Sequence, residues 1–156
     1  MAKMVKFVSR SEAMTRRFAV RLLRTFKHRR PLVLALEGGL GAGKTTFIRG
    51  LARSLGVLGR IQSPTFVLVK WYRIPRRRKR ALPYRYFVHA DAYRIESSAE
   101  GRRLGIHSAI QDPDAIAVVE WADRIKKLIP QNAIWIRFRH RTPTSRTISY
   151  ETPRPH

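Results

Sequence analysis

Apolar positions along the chain switch between two periods, and the switch points mark the elements. Residues 4–8 place Met4, Val5, Phe7 and Val8 around one lysine and read as a short strand. Ser9 then stands three residues before Glu12, the spacing of a capping box with Ser9 as N-cap. From there Met14, Phe18, Leu22 and Phe26 recur at every fourth residue beside Ala19 and Leu23, which predicts an amphipathic helix. The basic run Lys27-His28-Arg29-Arg30 and Pro31 end it. Residues 32–36 are continuously apolar, as in a strand buried on both faces of a parallel sheet. A glycine-rich turn follows, then a helix over about 44–55 that stops at Gly56.

The second half repeats the alternation. Strands are expected at 66–72 and 85–90, with 73–83 between them, and a short helix over 96–104 ends at Gly105. Residues 115–119 form another fully apolar strand, and 121–128 read as helical until Pro130. Ile134, Ile136 and Phe138 alternate with Trp135, Arg137 and Arg139, the pattern of a half-exposed strand. Its hairpin partner is 147–151, across a polar turn at 142–145, and the tail 152–156 is expected to fray. Strands alternating with helices predict one α/β domain over 1–151. Its central sheet should be mostly parallel and flanked by helices, with a C-terminal antiparallel hairpin.

Composition narrows this picture. A chain of 156 residues with 44% hydrophobic residues is long enough for one real core. The absence of cysteine excludes a disulfide scaffold, a thiol nucleophile and a Cys-ligated metal site. No apolar run approaches the roughly 18 residues of a membrane span, and the N-terminus lacks a signal-peptide h-region. The expected setting is the cytoplasm, with no membrane partner. Charge is the outlying feature: 33 Lys plus Arg against 10 Asp plus Glu give a net +23. Such a surface attracts phosphate polymers and nucleotides at long range, though charge speaks to association and not to fold.

Gly38-Gly39-Leu40-Gly41-Ala42-Gly43-Lys44-Thr45 matches G-x-x-x-x-G-K-[ST] at every fixed position, with an apolar strand before it and a helix after it. The glycines let successive backbone N–H groups surround phosphate oxygens at a helix N-terminus. Lys44 is placed for the β- and γ-phosphates and the Thr45 hydroxyl for Mg²⁺. This makes the domain P-loop NTPase-like and predicts a nucleoside triphosphate site with ATP and Mg²⁺ as cofactors.

Hydrolysis also needs a carboxylate near the metal and something to place water. Glu120 follows the apolar strand 115–119 directly, at the edge where ligands of open α/β sheets bind, and Asp91 ends the strand 85–90 in the same way. The plainer reading of each is a strand-end carboxylate in water. His89 has acid–base chemistry available to it, yet a lone strand histidine is usually structural.

The order of these motifs identifies the chain as resembling one family. Gly39 to Phe47 is followed by Ser63-Pro64-Thr65-Phe66, then His89-Ala90-Asp91-Ala92-Tyr93-Arg94, Leu104-Gly105-Ile106 and Val119-Glu120-Trp121. Together they resemble the TsaE (YjeE) family, P-loop ATPases needed for bacterial synthesis of threonylcarbamoyladenosine in tRNA. The resemblance runs from the first helix to the last hairpin. It implies that Gly41, Ala42, Gly43, Lys44, Thr45 and Thr46 hold the phosphates, and that Thr45 and Glu120 hold Mg²⁺. It makes 63–65 a mobile switch segment facing the γ-phosphate, with Thr65 and Lys44 among the catalytic residues. Asp91 would order that switch or the attacking water, Trp121 would pack beside the site, and Ser11 and Ser145 would border the base. TsaB and TsaD proteins are the implied partners.

The chain departs from the family pattern at Gly39, where an acidic residue is usual, and at Ala90 and Ala92, where bulkier residues flank the aspartate. Arg73, Arg76, Arg77, Arg78, Lys79 and Arg80 place six cations in an inserted basic loop over 73–83, expected to project into solvent and to be available for tRNA phosphates. Two rival functions follow from the residues: a small-molecule or nucleoside kinase, which would need an acceptor pocket, and a non-catalytic basic RNA-binding module.

Overall fold

The two fully apolar runs lie side by side at the middle of a seven-stranded sheet. In the computed structural model of the chain, the residues described are 3–61, 68–75, 77 and 82–152. The strands are β1 (Met4–Ser9), β2 (Leu32–Glu37), β3 (Val69–Arg73), β4 (Tyr86–Asp91), β5 (Ala115–Glu120), β6 (Ile134–Thr142) and β7 (Ser145–Glu151). They are ordered β1-β7-β6-β2-β5-β4-β3. β6, β2, β5 and β4 run parallel to one another, whereas β1–β7, β7–β6 and β3–β4 pair antiparallel. Crossovers between parallel strands need intervening elements that cover the sheet, so β2 and β5 are buried on both faces.

Among the described residues the helices are α1 (Glu12–Phe26), α2 (Lys44–Ser54), α3 (Ser98–Arg103) and α4 (Ile106–Gln111), with a 3₁₀ turn at Ala122–Ile125. On one face of the sheet Leu34, Leu36, Phe87, Ile116 and Val118 pack against Phe18 and Leu22 of α1 and Phe47, Ile48 and Leu51 of α2. On the other, Val33, Ala35, Val88 and Val119 pack against Ile106 and Ile110 of α4 and Ile125 of the 3₁₀ turn. Each large side chain buried this way contributes about 1.5–3 kcal/mol of transfer free energy.

Several boundaries differ from expectation, each for a tertiary reason. β1 continues to Ser9, which pairs in register with Arg146 of β7, so the chain is still extended where the capping box was expected. The N-cap is Ser11, whose hydroxyl accepts from the Met14 N–H at 3.1 Å, while the Ser9 hydroxyl meets that of Thr15 at 2.7 Å. Beyond β5 the helix expected over 121–128 is a single 3₁₀ turn, because Trp121 takes a left-handed backbone with φ 55°. α4 was not foreseen; its six residues are too few for a period to show. Of the tail expected to fray, Thr152 is tied to Lys3 by a backbone bond of 3.0 Å, and 153–156 lie outside the described residues. Of the segment 73–83, Arg73 and Arg77 are exposed; Arg76, Arg78, Lys79 and Arg80 lie outside the described residues. Its flanks are anchored: Ile74 and Tyr84 are fully buried, and the Tyr84 hydroxyl donates to the carbonyl oxygens of Lys27 and Arg29 past the end of α1.

α1 crosses α2 at Gly50, where a Cβ would lie 2.7 Å from the Arg16 Cα. Alanine is the better helix former by about 1 kcal/mol, but the obstacle is backbone and cannot rotate away. Gly50→Ala is therefore expected to destabilise the fold by about 1–3 kcal/mol and to lower the melting temperature by several degrees in a thermal denaturation scan. A raised melting temperature would contradict the close crossing.

Candidate functional site

β2 sits between β5 and β6 and parallel to both, so the chain reverses direction across the sheet at its C-terminal end. That is where a crevice opens in an open α/β sheet, and the glycine-rich turn enters it from β2. The turn depends on glycine, as two of its positions show. At Gly38 a Cβ would come 2.6 Å from the Phe138 carbonyl oxygen, and at Gly43, the N-cap of α2, φ is 103°. With that geometry the first turn of α2 offers its N–H groups to a ligand. At Gly39 a Cβ would meet nothing within 4 Å, so no packing demand requires glycine there.

Lys44 opens α2 yet is only 5% exposed. Its ammonium donates to the Gly38 carbonyl and sits 3.7 Å from the centre of the Trp121 ring. Burial pushes its pKa down from the ordinary lysine value, against the opposing pull of Glu120, then Asp91 and Asp123. Trp121 is held in turn by Tyr93, ring centres 4.9 Å apart, and by the Arg124 guanidinium over both rings. The left-handed backbone at Trp121 is what turns this indole over the lysine.

The two strand-end acids meet on adjacent strands: Asp91 and Glu120 are register partners between β4 and β5. Both are buried at the mouth of the sheet, and each has a defined partner. Asp91 accepts the Tyr93 N–H at 2.9 Å. Glu120 is bonded to His89 Nε2 at 2.7 Å. Lys44, Thr45, Thr46, Asp91 and Glu120 all line one cleft of about 530 Å³, together with Gly41, Ala42, Gly43 and Arg94. The metal and phosphate candidates are thus brought together. Among the described residues no group of three His, Cys, Asp or Glu side chains is placed to hold a metal ion.

A second cleft of about 360 Å³ continues from the loop, sharing Gly41, Gly43 and Thr46 with the first. Ser11 lines it, beside Thr15, Pro143, Thr144 and Arg146. Ser145 lies behind that wall: it is buried, and its hydroxyl bonds Thr142 Oγ1 at 2.7 Å across the hairpin turn. Thr65, with Ser63 and Pro64, lies outside the described residues. Sequence reasoning set His89 aside as structural and gave no site role to Arg94 or Arg146. His89 is bound to Glu120, Arg94 lines the main cleft, and Arg146 donates from Nε to the Gly41 carbonyl at 3.3 Å. The Tyr93-Arg94 pair after Asp91 was a signal for one of them; Arg146 depends on the β6–β7 hairpin docking beside β2, which no local pattern reveals.

Comparison with known proteins agrees with this fold. Residues 9–148 match the family model described as threonylcarbamoyl adenosine biosynthesis protein TsaE. The tRNA threonylcarbamoyladenosine biosynthesis protein TsaE of Bacillus subtilis (strain 168) is 36% identical over 118 residues, covering 76% of this chain and 68% of that protein. Its namesake in Haemophilus influenzae is 31% identical over 105 residues, 67% of this chain and 61% of that one. The crystal structure of Bacillus subtilis YdiB superposes with a TM-score of 0.73 at 29% identity, covering 99% of this chain and 88% of its own. With the family model spanning nearly the whole α/β sheet and the loop, cleft and strand-end acids within the matched residues, the chain belongs to the TsaE family.

Proposed function

We propose that this protein binds ATP with Mg²⁺ and hydrolyses it in the service of threonylcarbamoyladenosine modification of tRNA. The observation that carries the reading is the convergence of Lys44, Thr45, Asp91 and Glu120 on one cleft at the N-terminus of α2. The donor set fits the groups. Two buried carboxylates facing a triphosphate would repel it unless a divalent cation stood between them, and a buried lysine with a lowered pKa gains from phosphate oxygens. In this reading backbone N–H groups from Gly41 to Thr46 and the Lys44 ammonium hold the phosphates. The Thr45 hydroxyl and Glu120 hold Mg²⁺, which when bound neutralises charge on the β- and γ-oxygens. Asp91 orders the attacking water or the switch that contains Thr65, and Trp121 shields the lysine from solvent. Ser11 and the hairpin around Ser145 border the base.

The relatives' names place them in tRNA modification, which supports the pathway, and the family resemblance supports TsaB and TsaD proteins as partners. The net charge of +23 and the cations of 73–80 support contact with tRNA phosphates, which would be insensitive to base sequence. Among the described residues no helix is long and apolar enough to cross a membrane, and a cytoplasmic setting suits a tRNA substrate.

Phosphate release from Mg·ATP, assayed with the partner proteins and without any acceptor, is the test. Steady release is expected. ADP formation only on adding a small-molecule or nucleoside acceptor would favour the kinase reading, and absence of nucleotide binding would leave an RNA-binding module.

A further inference from the structure

We infer that His89 is a positioning residue for the metal site: its Nε2–H fixes the Glu120 carboxylate in the orientation that receives Mg²⁺ with a nucleotide. The inference rests on the proposed metal role of Glu120. It begins from register. β4 and β5 are parallel, and His89 stands opposite Val118, two residues before Glu120. Side chains alternate along a strand, so His89, Asp91 and Glu120 share the face that carries α2, with Phe87, Ile116 and Val118 beneath them. Every one of those lower positions is apolar. A polar ring in this row needs a reason, since it forfeits apolar packing and requires a partner.

The ring is fully buried, with 0% exposure, and Glu120 is 4% exposed. Their contact, Nε2 to Oε2, is 2.7 Å. The other ring nitrogen, Nδ1, is buried with no hydrogen-bond partner. A proton on Nδ1 would be an unsatisfied buried donor, so the ring N–H that finds a partner is the one on Nε2, which points at the carboxylate. The consequence is specific. An arginine or lysine in this place would orient the carboxylate and also cancel its charge. An imidazole N–H orients it through one bond without the permanent positive charge that an arginine or lysine would bring beside a cation in the cleft. Hydrogen bonds from outside a metal's ligand set commonly hold ligating carboxylates in this way, and their loss weakens metal affinity by about 10–100-fold.

The test is calorimetry of ATP binding to the full chain, in Mg²⁺ and again in EDTA, read as the ratio of the two dissociation constants. His89→Leu fills the site without a donor, His89→Asn carries a donor too short to reach, and His89→Gln returns an N–H at the reach of Nε2. His89→Leu and His89→Asn are expected to cut the Mg²⁺-dependent gain about 10–100-fold while leaving affinity in EDTA at the parent value, with His89→Gln restoring most of the gain. Melting curves confirm that each variant is folded, and the Asn–Gln pair decides the matter alone if His89→Leu does not fold. Parent-like ratios in His89→Asn and His89→Leu would overturn the inference and leave His89 a core residue. If instead the parent shows no Mg²⁺-dependent gain, or Glu120→Ala keeps it whole, the metal role of Glu120 is wrong and the inference falls with it.

Discussion

Replacing Lys44 by alanine is expected to weaken binding of Mg·ATP by about 10–150-fold, the equivalent of losing charge-assisted hydrogen bonds worth about 1.5–3 kcal/mol. The lysine is buried, with its ammonium held between the Gly38 carbonyl and the Trp121 ring and three carboxylates drawing on its charge. Burial works against that charge and pushes its pKa down, so phosphate oxygens would add charge-matched partners to the carbonyl and ring it already meets. Without it, Asp91 and Glu120 would face a triphosphate with one fewer positive group between, which moves the loss toward the upper end of the range. Lys44→Arg should also bind poorly, since a planar guanidinium cannot share the same carbonyl and ring as a compact ammonium. Calorimetry with ATP and Mg²⁺ checks both, and unchanged affinity in Lys44→Ala would sink the assignment.

The two carboxylates should separate into different phenotypes. Asp91→Ala is expected to lower turnover on the order of 10²-fold or more while ATP affinity stays within a few-fold of the parent, because a group that places water acts mainly in the transition state. Glu120→Ala should instead erode the Mg²⁺ dependence of binding. Adjacency makes the contrast informative: the two are register partners on neighbouring strands, so a general disturbance of the sheet edge would affect both alike. Single-turnover hydrolysis in the presence of the partners, alongside binding with and without Mg²⁺, distinguishes them. Hydrolysis at the parent rate by Asp91→Ala would remove it from the reaction.

The parts of the site legible in the sequence are those whose chemistry is contiguous. The loop from Gly38 to Thr45 declares itself because phosphate binding demands glycines where φ is positive or a Cβ would strike Phe138, followed at once by a lysine and a hydroxyl. Asp91 and Glu120 were readable because each ends an apolar strand of a parallel sheet, where ligands bind. What the sequence concealed is set by register and by distant pairing. His89 and Glu120 are 31 residues apart and meet only because β4 and β5 are neighbours. Ser9 and Ser11 are chemically equal as caps, and the choice falls to β1, which pairs with β7 as far as Ser9. The contact of Trp121 with Lys44 hangs on one left-handed residue after β5, where an ordinary helical start was expected. Ser145 carried a hydroxyl of the right kind, but the hairpin turn spends it on Thr142 and presents Pro143, Thr144 and Arg146 to the cleft instead.

The most direct measurement of the central claim is tRNA modification in a reconstituted assembly, scored as threonylcarbamoyladenosine formed over repeated turnovers. Adding the parent protein should sustain modification, and adding folded Lys44→Ala in its place should reduce it to the level seen with no added protein. Modification at the parent rate with Lys44→Ala would show that the nucleotide cleft is not what this protein contributes.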